Sequence, residues 1–170
     1  MINITKNYTI SIKLLIFLIL LIGCSSKEKD SATVVLNDIQ IYKTGLSSLE
    51  NENYKKAIIE FDNLSLNHPF SSLAKKSDIM TAYSLYQNNE IKKSISKLKI
   101  FIEMNPNDEF SNYAHYLLAM CYYIQVSNQG RDPSLSIKAL NSFMLVITKY
   151  PNSKYAKDSK LKIQYIQNSL

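Results

Sequence analysis

Apolar residues recur along most of this chain at the three- and four-residue spacings of amphipathic helices. From about residue 36 onward the spacing predicts helices in pairs, separated by short polar turns. The predicted pairs cover residues 36–51 and 54–67, 72–87 and 90–104, and 110–126 and 133–149, and a last helix runs from a Ser153 cap to Asn168. The pattern therefore predicts an all-α fold.

The predicted pairs also share an internal repeat. Each second helix carries a small residue, a large apolar residue four positions later and a proline eight positions after that. The three sets are Ala57, Phe61 and Pro69; Ser94, Leu98 and Pro106; and Ala139, Phe143 and Pro151. In the first helices, the small residues Gly45, Ala82 and Ala119 stand 37 positions apart.

This spacing is typical of tetratricopeptide helix pairs. A small residue lets two helix backbones approach, a large one fills the groove between them, and proline ends the second helix. We therefore predict a tetratricopeptide-type α-solenoid of three helix pairs plus a terminal helix over residues 36–170, with an ordinary helical bundle as the alternative. The repeats are expected at about 38–71, 75–108 and 112–153, with a partial fourth at 154–170.

The N-terminal segment has a different pattern. Lys6 and Lys13 accompany an almost unbroken apolar run from Ile12 to Ile22, which is too short for a confident membrane span. The run predicts a secretory signal over residues 1–23. Its end, Leu21-Ile22-Gly23-Cys24, resembles the lipobox of bacterial lipoproteins, in which the signal is cut before the cysteine and lipid is attached to it.

Lipidation of Cys24 would anchor the chain to a membrane through a flexible tether over residues 24–35. In the lipoprotein class, a serine after the cysteine, here Ser25, resembles cargo released to the outer membrane. The alternative is a retained anchor in which Cys24 is an incidental thiol. Cys121 is the other cysteine, so an acylated Cys24 excludes an internal disulfide, and its apolar neighbours predict a buried, inert thiol.

Charge and composition argue against several classes of function. The formal net charge is +6, and it falls to +4 if the signal with its two lysines is removed. The remaining basic residues are spread along the chain, which favours solvated helix faces over a nucleic-acid surface. Three glycines leave no phosphate-binding loop. His68, expected to be solvated, and His115, expected to be half-packed, lack the spacing of a metal site.

Two short fragments, Ser72-x-x-Lys75 and Ser94-x-x-Lys97, match part of an acyl-transfer motif. Neither has the companion motifs of those enzymes. The sequence therefore predicts a protein that is not an enzyme and has no cofactor and no metal.

Tyrosine is the residue type that stands out. Several tyrosines fall at the positions of the first helices that line the concave groove of a tetratricopeptide array. They are Tyr42, Tyr83, Tyr86, Tyr113, Tyr116, Tyr123 and Tyr165. A tyrosine ring joins a large apolar body to a hydroxyl, which suits recognition of a peptide. We predict a peptide-binding groove from these residues; the alternative is that the rings only pack between repeats.

Several segments of the chain also carry a family resemblance. The most specific are His68-Pro69-Phe70, Gly130-Arg131-Asp132-Pro133 and Tyr150-Pro151-Asn152-Ser153-Lys154-Tyr155-Ala156. Together with the lipobox, and over about Ile39 to Leu170, they resemble the BamD (ComL/YfiO) family of outer-membrane β-barrel assembly lipoproteins.

The resemblance implies a non-enzymatic scaffold, held by its N-terminal lipid at the periplasmic face of the outer membrane. Its implied partners are the barrel insertase, companion lipoproteins of the assembly machinery and unfolded β-barrel precursors, with no nucleic acid. The family has about five repeats, whereas this chain stops one helix into the fourth, as in a fragment, a truncated reading frame or a reduced version. Insertase contact is expected mainly in the missing repeats. The alternative function is a generic lipid-anchored tetratricopeptide adaptor for cell-wall enzymes or proteases.

Overall fold

The computed structural model describes residues 28–128 and 133–169. The predicted signal, Cys24 and the Gly130-Arg131-Asp132 segment lie outside the described residues. The chain divides into two compact units, Met1–Asn37 and Asp38–Leu170, and every contact of the helical array described here lies within the second unit.

Seven α-helices and no strands make up the described part of the chain. They are α1 (Glu28–Glu50), α2 (Tyr54–Asn67), α3 (Ala74–Gln87), α4 (Ile91–Met104), α5 (Ser111–Asn128), α6 (Pro133–Lys149) and α7 (Lys154–Ser169). From α2 onward, each helix packs against the next one along the chain, and α5 also contacts both α3 and α7. This serial packing confirms the predicted all-α, tetratricopeptide-type solenoid of helix pairs.

Local signals explain most helix boundaries. The Lys56 N–H donates to Asn53 Oδ1 at the start of α2, and the Ala156 N–H donates to the predicted Ser153 cap of α7. Pro133 is the first residue of α6. At this position the fixed φ of proline suits a helix, and an N–H would have no partner within the helix. The helices from α2 onward begin and end within two residues of the predicted bounds.

Helix α1 is the exception. It begins at Glu28 rather than near residue 36, so residues 28–35 of the predicted flexible tether are helical. The sequence has acidic residues at positions 28 and 30, and acidic residues are favoured in the first turn of a helix. The prediction of a flexible tether over residues 24–35 did not take account of this preference of acidic residues for a helix N-terminus.

The small residues of the repeat lie where helices cross. Gly45, Ala82 and Ala119 are all buried. The large apolar residues four positions after the second set of small residues, Phe61, Leu98 and Phe143, are fully buried. The crossing is close enough for the Ser94 hydroxyl of α4 to donate to the Ala82 carbonyl oxygen of α3 at 2.7 Å. The repeat register inferred from the sequence therefore coincides with the helix crossings.

Three apolar clusters follow one another along the array. The first surrounds Phe61 between α1, α2 and α3, and the second surrounds Leu98 between α3, α4 and α5. The third surrounds Phe143 and includes Ile166 of α7. Within the described residues, no helix is both long enough and apolar enough to span a bilayer. The apolar residues of these helices instead form the core between repeats.

Charged side chains connect successive repeats. Lys97 Nζ of α4 lies 2.8 Å from Asp62 Oδ1 of α2 and 3.1 Å from Asp78 Oδ1 of α3. Burial alone would lower the pKa of Lys97, but the hydrogen bonds and attraction of the two carboxylates outweigh it and raise that pKa. Lys97 is therefore held as a cation that joins three helices.

The two Ser-x-x-Lys fragments have structural roles. Lys97 faces carboxylates while Ser94 bonds to backbone, and Lys75 pairs with Asp108 at 2.9 Å. Neither lysine is thus placed as a base for its serine.

His68 was expected to be solvated, but it is partly buried. Its Nδ1 atom lies 2.9 Å from Oδ1 of the buried Asp38, close enough for an ion pair when His68 is protonated. The sequence placed His68 at a helix end before Pro69, but it did not show that α1 would bring a carboxylate against that end.

The closest crossing gives a stability prediction. A Cβ added at Gly45 would lie 2.6 Å from Cε1 and 2.9 Å from Cδ1 of Phe61, whose ring cannot retreat because it is fully buried. Ala gains about 1 kcal/mol over Gly in helix propensity, whereas overpacking costs about 1–3 kcal/mol. We expect Gly45→Ala to destabilise the fold by up to about 2 kcal/mol in urea unfolding.

The control is the same substitution in a Phe61→Leu background, where the smaller side chain relieves the contact. There Gly45→Ala is expected to be neutral or stabilising. Equal destabilisation in both backgrounds would show that the Gly45–Phe61 contact is not the cause.

Candidate peptide-binding groove

Three of the helices present tyrosines to one another. Tyr113 and Tyr116 of α5 both contact Tyr155 at the start of α7, with ring centroids 5.3 and 4.9 Å apart. The Tyr116 and Tyr155 rings are stacked, with 26° between their planes. Tyr83 and Tyr86 of α3 pack against the same second cluster as Tyr113. Two of the seven predicted groove tyrosines therefore contact Tyr155, and two more pack on the same apolar cluster as Tyr113.

The repeat explains why these tyrosines lie on neighbouring helix faces. Residues three apart lie on one face of a helix, so Tyr83 and Tyr86 share a face, as do Tyr113 and Tyr116. Because α3, α5 and α7 are the first helices of successive pairs and α5 contacts both of the others, their equivalent faces form a continuous surface. A side-chain pattern repeated along the sequence thus becomes a row of rings.

The other three predicted tyrosines lie elsewhere. Tyr42 is only 7% exposed and packs against Phe61 at 5.5 Å between ring centroids. Tyr123 packs edge-on against Phe143 at 6.1 Å. Tyr165 is 64% exposed, but it stands ten residues along α7 from Tyr155, or about 15 Å.

An open groove of about 380 Å³ lies between α3, α5 and α7. Ile79 and Met80 line one side, Phe110 and Tyr113 line the next, and Tyr155 lines the third. Lys76, Glu109, Asn112, Ser153 and Lys154 complete the lining. The groove combines aromatic and aliphatic walls with polar groups at its edge, as peptide and small-molecule sites commonly do.

Sequence reasoning missed Phe110 and Tyr155, although a signal for them exists. Counting was confined to the groove positions of each repeat, which lie further along the first helices, whereas both residues stand at or just before the observed helix start. Leu73, Phe110 and Tyr155 are nevertheless separated by 37 and 45 positions, the same offsets as the repeat prolines Pro69, Pro106 and Pro151. The repeat therefore extends to the start of each first helix and the residue before it, and these positions supply part of the groove wall.

The hydroxyls of Tyr113, which lines the groove, and of Tyr116 and Tyr86, which do not, are neutral. Burial raises the pKa of Tyr113, and burial together with the neighbouring Asp158 raises that of Tyr116. Burial also raises the pKa of Tyr86. The Tyr116 hydroxyl donates to Asp158 Oδ2 at 2.6 Å, which connects α5 to α7. These side chains offer apolar faces and hydrogen bonds rather than acid–base chemistry.

The remaining reactive side chains are in core positions. Cys121 is buried as predicted, and burial raises the pKa of its thiol to about 11, so the nucleophilic thiolate is absent at neutral pH. Burial, with Lys149 nearby, lowers the pKa of His115, which packs against Tyr150 with ring centroids 5.6 Å apart. Among the described residues, no group of three His, Cys, Asp or Glu side chains converges on a metal site.

Fold and groove together define a class: a tetratricopeptide-type helical array with an aromatic groove along its first helices. Residues 36–170 match the model of the YfiO family, described as outer membrane lipoprotein, and the chain belongs to this family.

Curated relatives agree with this assignment. The chain is 37% identical over 157 residues to the outer membrane protein assembly factor BamD of Rickettsia prowazekii, covering 92% of this chain and 62% of that protein. It is 32% identical to the factor of the same name from Caulobacter vibrioides, covering 87% of this chain and 49% of the relative. The Vibrio cholerae factor is 24% identical over 169 residues. The chain thus spans about half to three-fifths of the length of the first two relatives.

The hydrogen bond between α5 and α7 can be tested directly. Tyr116→Phe keeps the ring stacked on Tyr155 but removes the donor to Asp158. Because hydrogen bonds to charged groups contribute about 1.5–3 kcal/mol, with less expected at this partly exposed site, we expect about 1 kcal/mol of lost stability. Hydrogen exchange of the α7 amides should accelerate more than that of α3.

Tyr165→Phe is the matched control, since its exposed ring lies outside the cluster. Unchanged α7 exchange in Tyr116→Phe would contradict a tie between the two helices.

Proposed function

We propose that this chain is an outer-membrane lipoprotein scaffold of the β-barrel assembly machinery. It is not an enzyme, and it helps to receive unfolded β-barrel precursors. Family membership and the relatives, which are named as outer membrane protein assembly factors, support the assembly role. The observation that carries the substrate side of the proposal is the aromatic groove between α3, α5 and α7.

The groove fits an extended segment better than a folded surface. It is open, and its walls come from three separate helices, so a chain can enter without rearranging the array. Aromatic pairs contribute about 0.5–1.5 kcal/mol beyond the burial of apolar area, and tyrosine loses little conformational entropy on contact. Such contacts hold an apolar or aromatic residue of a precursor without demanding one sequence.

The proposed location depends on the N-terminal segment. Removal of residues 1–23 and acylation of Cys24 would place the array at the periplasmic face of the outer membrane. More than one acyl chain makes such anchoring stable. The lipoprotein description of the family supports this location.

The proposed partners are the barrel insertase and the companion lipoproteins of the assembly machinery. Apolar side chains on the second helices are available for such contacts, since Ile59 of α2, Ile100 of α4 and Ile137 of α6 are more than half exposed. These residues occupy the helices that do not form the groove. Precursor binding and partner binding can therefore use different faces of the array.

Groove binding is tested by the double variant Tyr113→Leu/Tyr155→Leu. Leucine keeps most of the apolar bulk but removes the stacked rings and their hydroxyls. Binding of a labelled C-terminal peptide from an outer-membrane barrel protein, followed by fluorescence anisotropy, should weaken at least tenfold, or about 1.4 kcal/mol. Helicity by circular dichroism should be retained.

The control is Tyr165→Leu, which changes an exposed tyrosine of the same helix outside the groove. If the double variant binds as well as the parent, the rings only pack between repeats. Co-purification of a peptidoglycan hydrolase or protease without barrel-assembly subunits would then favour the generic adaptor.

Lipidation is tested by Cys24→Ala. This change removes the sulfur that accepts lipid, so we expect an uncut precursor that stays with the inner membrane. Labelled palmitate should enter the parent protein but not the variant, while Cys121→Ala should be labelled like the parent. Label remaining in Cys24→Ala would contradict acylation at this residue.

A further inference from the structure

The turn between α2 and α3 exposes two large apolar side chains. Phe70 is fully exposed, and Leu66 in the last turn of α2 is 71% exposed. The turn is ordered, because the Ser71 N–H donates to the His68 carbonyl oxygen at 2.9 Å and Pro69 restricts the backbone before Phe70. An ordered turn therefore presents this aromatic ring to solvent, at a position where it adds nothing to the core.

The later repeats show that the fold does not need apolar residues at these two positions. The equivalent positions, at the repeat offsets of 37 and 45 residues, are polar and exposed in both later repeats: Asn107 and Asn152 for Phe70, and Glu103 and Thr148 for Leu66. Exposed apolar groups that packing does not require indicate a contact with something outside the array.

The same turn lies beside the residue at which the array begins. His68 Nδ1 lies 2.9 Å from Oδ1 of Asp38, the first residue of the second compact unit. Cys24 stands 14 residues before Asp38, so at most about 50 Å of extended chain separates the two. Among the turns between helix pairs, the α2–α3 turn is therefore the nearest along the chain to the proposed lipid anchor.

The charges around the turn are basic. The segment 66–76 contains no Asp or Glu, and its two lysines, Lys75 and Lys76, are exposed. Lys75 pairs with Asp108, whereas Lys76 lies over an aromatic ring and has no carboxylate within ion-pair distance in the described part of the chain. Phenylalanine and leucine beside lysine are typical of segments that lie in the headgroup region of a bilayer.

We propose that the α2–α3 turn inserts into the surface of a bilayer that contains anionic phospholipid. Leu66 and Phe70 enter the boundary between headgroups and acyl chains, and Lys75 and Lys76 lie among the phosphates. This inference rests on the proposed acylation of Cys24 and adds a second membrane contact to it.

The two contacts have different roles. Two apolar side chains bury too little area to retain a protein on a bilayer by themselves. The acyl anchor keeps the turn at a high local concentration near the lipid, so that even a weak contact is populated. The acyl chains therefore retain the array at the membrane, and the turn fixes the orientation in which it stands there.

The test uses tryptophan fluorescence, because the chain contains no tryptophan and Phe70→Trp introduces a single reporter. The acylated full chain is bound to vesicles of phosphatidylcholine and phosphatidylglycerol whose acyl chains carry bromine, which quenches indole fluorescence on contact. Relative to unbrominated vesicles, we expect Phe70→Trp to lose about half of its emission. Vesicles without phosphatidylglycerol should quench it less, since the lysines then lack anionic headgroups.

Tyr165→Trp is the matched control, because Tyr165 is an exposed aromatic residue near the other end of α7. It should float with the same vesicles but keep its emission. A second variant adds Leu66→Glu to Phe70→Trp, which gives α2 the residue that α4 carries at the equivalent position, Glu103. This change should remove most of the quenching while helicity by circular dichroism is retained.

Flotation of Phe70→Trp with the vesicles but without quenching would overturn the turn contact and leave the lipid anchor intact. Equal quenching of Phe70→Trp and Tyr165→Trp would also overturn it, since the contact would not be specific to the turn. An emission shift of Phe70→Trp that needs added barrel-assembly subunits, without quenching by lipid, would assign the turn to a protein partner instead. Failure of the parent chain to float would overturn both the anchor and the turn contact.

Discussion

The close approach of paired helices is the constraint on which the rest of this structure depends. Small residues at Gly45, Ala82 and Ala119 let the second helix of each pair lie directly against the first. The large apolar side chain that follows then fills the crossing, as Phe61 does against Gly45. Because each crossing fixes the direction of its pair, it also fixes how the first helices stand beside one another. The groove between α3, α5 and α7 is a consequence of that arrangement.

Polar contacts between the helices also restrict their relative orientation. Lys97 joins α2, α3 and α4, Lys75 of α3 pairs with Asp108 before α5, and Tyr116 joins α5 to α7. In a repeat array each unit contacts only its neighbours, so stability is a sum of unit and interface contributions. Partly exposed pairs contribute little to that sum compared with burial of Phe61 or Phe143. Their directional geometry instead limits sliding and rotation between repeats.

Sequence reasoning predicted the fold well because the strongest signals are local. Prolines, caps and small residues act within one helix or one turn, so the sequence predicted the helices from α2 onward and most of their bounds. The start of α1 was not predicted, because acidic residues such as Glu28 and Asp30 suit either a solvated tether or a helix N-terminus. Tyr42 shows a second limit: its helical position indicated the groove, but its burial depends on Phe61 from another helix. Phe110 and Tyr155 were missed because they precede the groove positions that were counted in each first helix.

The groove also couples binding to the docking of α7. Tyr155 is at the start of α7, and its ring is held by contacts with Tyr113 and Tyr116 rather than by the helix alone. If α7 detaches, one wall of the groove and Lys154 leave with it. A ligand that occupies the groove binds only the docked form, so it must stabilise that form by mass action. The occupancy of the groove by any ligand and the order of the last helix would therefore be two measures of one equilibrium, and a contact that holds α7 in place would raise the affinity of the groove.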